Sequence, residues 1–275
     1  MCIMNLINNK YKIIEQIGSG SFGSIFKGEN ARTKEKVAIK VEPIKNETKL
    51  LKNESTIYQY LGSKPGFPVV KWFGKDKNNY YMVINLLGKS LEQLKLERGG
   101  FSLRLTLQIG MQILCLLKTI HDKGLVHRDI KPENFLLGLA NLEKQIYIID
   151  FGFCKSYLNN GHHIKFGKIN SLIGSYTYAS INSHKLYELS RRDDMESLGY
   201  MLLYFFTGEL AWRDSTTSFT NNEIISLKED IQINNKYPEV LLNYMKYVRS
   251  LEFDETPNYA IIIDSFKREI ENSLH

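Results

Sequence analysis

Residues 125–138 read LVHRDIKPENFLLG, and residues 146–152 read IYIIDFG. Apolar residues bound the first stretch on both sides, the mark of a chain running between buried elements. Yet its middle holds His127, Arg128, Asp129, Lys131, Glu133 and Asn134. Burying charge is costly unless the charge is paired or used. The second stretch is strand-like and ends in Asp150-Phe151-Gly152, which sets a carboxylate beside a mobile glycine. Asp129 and Asn134 fall in the spacing H-R-D-x-x-x-x-N, and Asp150 follows sixteen residues after Asn134. That set suits phosphate chemistry around a hard cation. Magnesium takes oxygen ligands, which Asp150 and the amide oxygen of Asn134 supply. Asp129 is a candidate to accept a hydroxyl proton, and Lys131 to reach a transferred phosphate.

Upstream, the chain reads as strands. YKIIEQIG, SIFKGE and KVAIKVE alternate apolar and polar residues between glycines and polar turns. GSGSFG, residues 18–23, leads from one strand into another, whereas a dinucleotide fold would send its glycine motif into a helix. Two readings remain, a plain hairpin turn and a flap whose amides cover phosphates. Lys40 ends the apolar run VAIK; it either reaches water or aims at phosphate oxygens, held by a carboxylate from the next helix. Helical spacing over 45–61 makes Glu54 the first choice for that carboxylate and Glu47 the second. PVVKWFG and NYYMVINLLG read as two further strands. After about residue 90 the period becomes helical, over 103–121 with a stop at Gly124, then 194–207, 238–251 and 258–272.

The 275 residues are enough for one large or two smaller domains, and a 43% hydrophobic, 24% charged composition fits a globular chain. A net charge of +6 is spread out, with no Lys/Arg block dense enough for a nucleic-acid arm, so no nucleic acid is expected. Acidic or phosphorylated partners stay open. No apolar run approaches 18 residues, so no membrane span is expected, and the N-terminus lacks a signal-peptide pattern. Cys2, Cys115 and Cys154 show no metal spacing, which suits a reducing compartment. His162 and His163 lack a third ligand nearby in sequence and read as a surface loop.

The order of glycine loop, Lys40, Glu54, Asp129, Asn134 and Asp150 resembles the protein kinases. Four stretches resemble the casein kinase I family in particular: GSGSFG with VAIKVE, LLGKSLEQL at 86–94, HRDIKPENFLLG, and YASINSHKLYELSRRDDMESLGYMLLYF at 178–205. Ser180-Ile181-Asn182 stands where most kinases carry Ala-Pro-Glu, and RSLEFDETPNY, 249–259, fits the family's late helices. The resemblance runs from about residue 9 to 270. It implies an α+β, bilobal protein-kinase fold, a small antiparallel β-sheet lobe with one helix (about 11–87) and a larger, mainly helical lobe (about 88–275), after a short extension at 1–10. It also implies ATP and Mg²⁺ as cofactors, and transfer of the γ-phosphate to Ser/Thr hydroxyls of proteins.

By the same resemblance Asp129, Lys131, Lys40 and Glu54 are catalytic, and Asn134 and Asp150 bind the metal. Nucleotide contacts fall to Ile17, Gly18, Ser19, Gly20, Ser21, Phe22, Gly23, Ser24 and Ile25, and to Lys40. Adenine lies between Ala38 and Leu136, against the backbone of Asn85 and Leu87, with Ile84 as gatekeeper. Asp194 anchors the catalytic-loop backbone. For Arg191 and Arg192, structural and anion-binding readings stay equally open.

Two departures stand out. Thr177 replaces an Arg with which the family binds a phosphate already on the substrate. AWRDSTTSFTNNEI, 211–224, lacks the family's basic stretch. Weakened use of primed sites is therefore expected, with Lys165 and Lys168 as partial replacements. The activation segment, 150–182, carries Ser156, Ser171 and Ser175 but no signature of an obligatory phosphosite, so constitutive activity is expected. The chain ends just after its last helix, which reads as a bare catalytic domain. A monomer in the cytoplasm or nucleus is expected. The alternative, a pseudokinase scaffold or nucleotide-binding interaction module, would be favoured by loss of Lys40, Asp129, Asn134 or Asp150, and all four are present.

Overall fold

A computed structural model of the chain describes residues 6–20, 23–45, 50–213, 218–233 and 236–273. They form two compact units: the residues up to Lys89 together with Leu136–Gly152, and Ser90–Phe135 together with the residues from Phe153 on.

The first unit is built on a five-stranded antiparallel sheet. Its strands are β1 (Tyr11–Gly20), β2 (Gly23–Asn30), β3 (Lys36–Pro43), β4 (Val70–Lys75) and β5 (Asn79–Asn85), in the order β1-β2-β3-β5-β4. The inner strand β3 buries Val37, Ala38 and Ile39 in succession. A strand covered on both faces has no need of alternation. Helix α1 (Leu50–Leu61) turns Leu51, Tyr58 and Leu61 to the interior, and Glu54 shares that buried face. The expected helix start at 45 shifts to 50, and residues 46–49 lie outside the described residues. The strand expected over 79–88 ends at Asn85.

The second unit is mainly helical. It contains α2 (Leu91–Arg98), α3 (Leu103–Asp122), α4 (Ile181–His184), α5 (Arg191–Thr207), α6 (Asn221–Glu229), α7 (Glu239–Ser250) and α8 (Tyr259–Asn272). Short strands also occur: β6 (Leu125–Val126) pairs with β9 (Lys155–Ser156), and β10 (Leu158–Asn159) with β11 (His162–His163). Between them in sequence, β7 (Phe135–Leu137) and β8 (Ile146–Ile148) pair with each other, a ladder that apart from Phe135 belongs to the first unit. His162 and His163 therefore sit in a small hairpin, where His163 packs on Tyr157 and Phe253. The α+β class read from the sequence is the class observed.

Helix α3 is the centre of the second unit. Ser102 caps it by accepting from the Leu105 amide, and Gly124, at φ 74°, stops it where expected. Leu107, Ile113, Leu114, Leu117 and Ile120 are buried, and the helix packs against α5 and α8. By length and hydropathy alone α3 would suffice to cross a bilayer, and half of that stretch is buried inside the protein. Its packing on α5 and α8 is the physical reason for so apolar a composition.

Leu117 is wholly buried on α3. Leu117→Ala is expected to lower stability by about 2–5 kcal/mol through lost burial and a residual cavity, read as a lower urea midpoint with an unchanged m-value.

Candidate active site

In the first unit, β1 and β2 close a hairpin with Gly20 opposite Gly23. Ser21 and Phe22, between them, lie outside the described residues, as does Glu47. Glycine is required at 23 because a Cβ there would sit 2.0 Å from the Val41 carbonyl oxygen on the neighbouring strand. Ile17, Gly18, Ser19, Ser24 and Ile25 continue the two strands away from the turn, with Gly18 paired to Ile25 and Ser19 to Ser24.

β3 places Lys40 beside two carboxylates. Its ammonium donates to Glu54 Oε2 at 2.7 Å and to Asp150 Oδ1 at 3.1 Å. Burial works against the charge on Lys40, but Glu54 and Asp150 overcome it and hold its pKa above the ordinary lysine value. Burial pushes the Glu54 carboxyl up, Lys40 pulls it back, and Asp150 adds to the upward push. One cation between two carboxylates leaves a formal charge of −1, an arrangement that suits added positive charge.

Asp150 itself sits at φ 66°, uncommon for a residue with a side chain. Its amide donates to the Tyr58 hydroxyl at 3.3 Å, and the Tyr58 ring meets Phe151 edge-on at 4.9 Å. Such backbone costs about 1–3 kcal/mol and persists where its surroundings hold it. Sequence reasoning missed Tyr58 as a support, since on α1 it reads simply as an apolar-face residue.

The other expected nucleotide contacts in this unit also have definite places. Ala38 is buried on β3 opposite Ile84. Asn85 is the last residue of β5, paired with Val37, and its side-chain oxygen accepts from the Val69 amide at 2.8 Å. Beyond it the chain turns to β7, where the Gly88 amide donates to Leu137 O and the Leu137 amide to Lys89 O. Leu87 lies in the stretch between Asn85 and Gly88, and Leu136 is the neighbour of Leu137 on β7.

In the second unit, Asp129, Lys131 and Asn134 come together. Lys131 Nζ is 2.6 Å from Asp129 Oδ2, and Asn134 Nδ2 donates to the Asp129 carbonyl at 2.8 Å and to its Oδ2 at 3.2 Å. The Ser175 amide donates to Asp129 Oδ1 at 3.1 Å. Asp129 is thus an oriented carboxylate with donors on both oxygens. Asn134 spends its NH₂ on Asp129, which leaves its oxygen as the atom suited to a hard cation. Ser175 follows Gly174, at φ 90°, where a Cβ would lie 2.6 Å from the Arg128 carbonyl oxygen. Nothing in the sequence near Ser175 marked it as a partner of Asp129, because the contact spans 46 residues.

The catalytic-loop backbone hangs on Asp194, as expected. Its Oδ2 accepts from the His127 amide at 2.7 Å and lies 2.9 Å from His121 Nε2, while Oδ1 accepts from the Arg128 amide at 2.8 Å. Burial would raise its pKa, but the hydrogen bond and charge of His121, with His127 behind it, hold it below the usual carboxylate value. Arg128, at φ 69°, donates through Nε to the Phe153 carbonyl at 2.7 Å. Its guanidinium lies 3.9 Å from Glu188, which also takes Lys155 at 2.7 Å. Cys154 is buried, and burial with the Asp194 charge pushes its thiol up to about 12, with Arg128 opposing.

Arg191 and Arg192 both serve protein acceptors: Arg191 meets the Tyr157 hydroxyl and the Asp254 carbonyl, and Arg192 the Leu251 carbonyl. Lys168 donates to the Lys185 carbonyl at 2.9 Å and stands over the Tyr187 ring. Among the described residues no group of three or more His, Cys, Asp or Glu side chains is arranged to hold a metal. Two oxygen-ligand side chains are the expected protein share of a magnesium site, the rest being water and phosphate.

A depressed carboxylate contributes stability that is present above its unfolded pKa and lost as pH falls through the folded one. Asp194→Asn, which leaves His121 and two backbone amides with a poorer partner, is expected to cost about 3–5 kcal/mol at pH 7. That penalty should shrink as pH falls below about 4. Urea unfolding at both pH values checks it; a penalty independent of pH would contradict the assignment.

A model of the protein kinase domain matches residues 11–255. That domain is a phosphotransferase that uses ATP and a divalent metal and acts on protein substrates. With the lysine–glutamate pair, the oriented aspartate and the strained Asp-Phe-Gly in place, this match shows that the chain belongs to the protein kinase family.

Proposed function

We propose that the chain is a serine/threonine protein kinase of casein kinase I type, active without prior phosphorylation and making little use of a priming phosphate. The observation that carries the subfamily reading is the lock around Ser180-Ile181-Asn182. Ser180 Oγ donates to Asp193 Oδ1 at 2.7 Å, Asn182 Nδ2 donates to the same oxygen at 3.0 Å, and Asp193 Oδ2 takes the Ser190 amide. The segment is tied to α5 by its own hydroxyl and amide, with no Ala-Pro-Glu glutamate. Lys131, 2.6 Å from Asp129, supports a Ser/Thr acceptor over tyrosine.

In this reading Asp129 takes the proton of the acceptor hydroxyl, a role worth about 10²–10⁴ in rate. Lys131 steadies the transferred phosphoryl oxygens. Lys40, kept charged and held by Glu54, grips the phosphates of ATP, whose backbone contacts come from the glycine turn. Asp150 and the oxygen of Asn134 are the groups that would hold Mg²⁺, and the metal would supply neutralisation of the charge developing on the phosphates. Adenine lies against Asn85 and Leu87, with Ala38 and Leu136 on its faces.

Glu188 between Arg128 and Lys155 supports activity without a phosphosite: a carboxylate already occupies the cations that a phosphate would otherwise order. Weak priming follows from Thr177, whose carbonyl serves Trp212, and from Arg213, whose charge is taken by Glu92 at 2.9 Å. The thiols of Cys115 and Cys154 are free, which suits an intracellular, reducing site of action.

Transfer of labelled γ-phosphate from Mg·ATP to casein is the direct test. Label on serine or threonine is expected, falling about 10²–10⁴-fold in Asp129→Asn. Label on tyrosine would refute the acceptor class, and ATP binding without transfer would favour the scaffold. Peptides with and without phosphoserine three residues before the acceptor are expected to react at similar rates. A strong preference for the primed peptide would contradict the reading, as would loss of activity after phosphatase treatment.

A further inference from the structure

Lys228, on α6, is a lysine with no solvent exposure at all. Its ammonium is shared among three acceptors: the Ala179 carbonyl at 2.6 Å, His184 Nε2 at 2.9 Å and the Tyr176 carbonyl at 3.1 Å. An ammonium has three protons and no acceptor, so three acceptors satisfy it in full. For His184 Nε2 to accept, the ring must be neutral with its proton on Nδ1, and Nδ1 has an acceptor in Asn221 Oδ1 at 2.7 Å. Burial and the Lys228 charge hold the His184 pKa down to about 4, in keeping with the neutral ring. Asn221 Nδ2 returns a hydrogen bond to the His184 carbonyl at 3.0 Å. Around the amine, Tyr200 on α5 and Trp212 present their rings at 4.7 and 5.4 Å, and Glu196 and Arg249 supply the nearby charges.

The two carbonyls belong to the segment that leaves Asp129. The Ser175 amide meets Asp129, the amides of Tyr178 and Ala179 fold back on the Ser175 carbonyl, and Ser180 begins the lock on Asp193. Tyr176 stays exposed and Thr177 half-buried in the middle of this turn. An acceptor residue brought to Asp129 must lie along that turn.

We propose that Lys228 is a positioning residue for the protein substrate: its hydrogen bonds to the Tyr176 and Ala179 carbonyls, with the third to His184 behind them, fix the backbone of Ser175–Ser180 as a rigid ledge on which the acceptor chain lies. The inference rests on the kinase reading above. A sequence cannot announce it, since Lys228 looks like one more lysine in a short amphipathic helix. Burial, opposed by Glu196 and reinforced by Arg249, brings the Lys228 ammonium down to about 7. At higher pH the amine keeps two protons for three acceptors, so one of the three hydrogen bonds that brace the turn and His184 is lost.

The test compares wild type with Lys228→Met in steady-state transfer to dephosphorylated casein, with wild-type transfer as the check on the kinase reading itself. The KM for casein is expected to rise about tenfold or more in the variant, with the KM for Mg·ATP within about twofold of wild type, a split that general damage would not produce. Wild-type KM for casein should climb severalfold between pH 7 and pH 9, and the climb should vanish in Lys228→Met, which has nothing to titrate. Should that variant fail to fold, Asn221→Ala, which removes the acceptor that sets the His184 tautomer, is expected to raise the casein KM by a smaller factor in the same direction. Unchanged casein KM in a folded variant, equal rises in both KM values, or a pH climb that survives Lys228→Met would each overturn the proposal.

Discussion

A single buried carboxylate sets the geometry of the candidate catalytic residues in the helical unit. Asp194 accepts from two successive backbone amides, those of His127 and Arg128, and is backed by His121 from the last turn of α3. Between those two amides the chain at Arg128 takes a left-handed turn, at φ 69°. That turn delivers Asp129 as an oriented group. Helix α5, which carries Asp194, thus fixes the placement of Asp129, with rigidity passed through charge-assisted hydrogen bonds of about 2.7–2.9 Å.

Asp129 is then held from four directions by residues of unlike origin. Lys131 and Asn134 come from the same loop, Ser175 from the segment after Gly174, and its own amide meets His127 Nδ1. The first unit solves a comparable problem with charge. Lys40 has two carboxylate partners, so burial does not discharge it, and Asp150 is kept in an unfavourable backbone conformation by Tyr58 and the packing of Phe151. In both units a strained residue is over-determined by its neighbours, as expected where geometry matters more than stability.

What the sequence disclosed follows from how local each signal is. Lys40 within β3, Glu54 on the buried face of α1, and the spacing of Asp129 and Asn134 are short-range patterns, and the Lys40–Glu54 and Asp129–Asn134 contacts each form inside one unit. The glycine turn between two strands and the stop at Gly124 were legible for the same reason. Ser175, Tyr58, Glu188 and Lys228 were not, because what matters about them is a partner 33 to 92 residues away, and in several cases the partner is a backbone carbonyl or amide that any residue could supply. Of the short strands only β8, inside IYIIDFG, was legible; β6, β7 and β9 to β11 escaped notice, since two- and three-residue ladders leave no periodicity to find. Helix α3 shows how little composition says without its neighbours. Its composition alone satisfies a membrane criterion, and only its neighbours α5 and α8 explain it.

The burial of Cys154 has a consequence for covalent chemistry. Oxidants and electrophiles react with thiolate, and a thiol pushed up to about 12 is ionised at neutral pH in only about one molecule in 10⁵. The residue that follows Asp150-Phe151-Gly152-Phe153 is therefore chemically quiet even though it neighbours the reactive machinery. Peroxide or an acrylamide probe would meet Cys115, exposed on α3, long before Cys154. Among the described cysteines, a covalent mark on this chain reports on the outside of its central helix rather than on its catalytic loop.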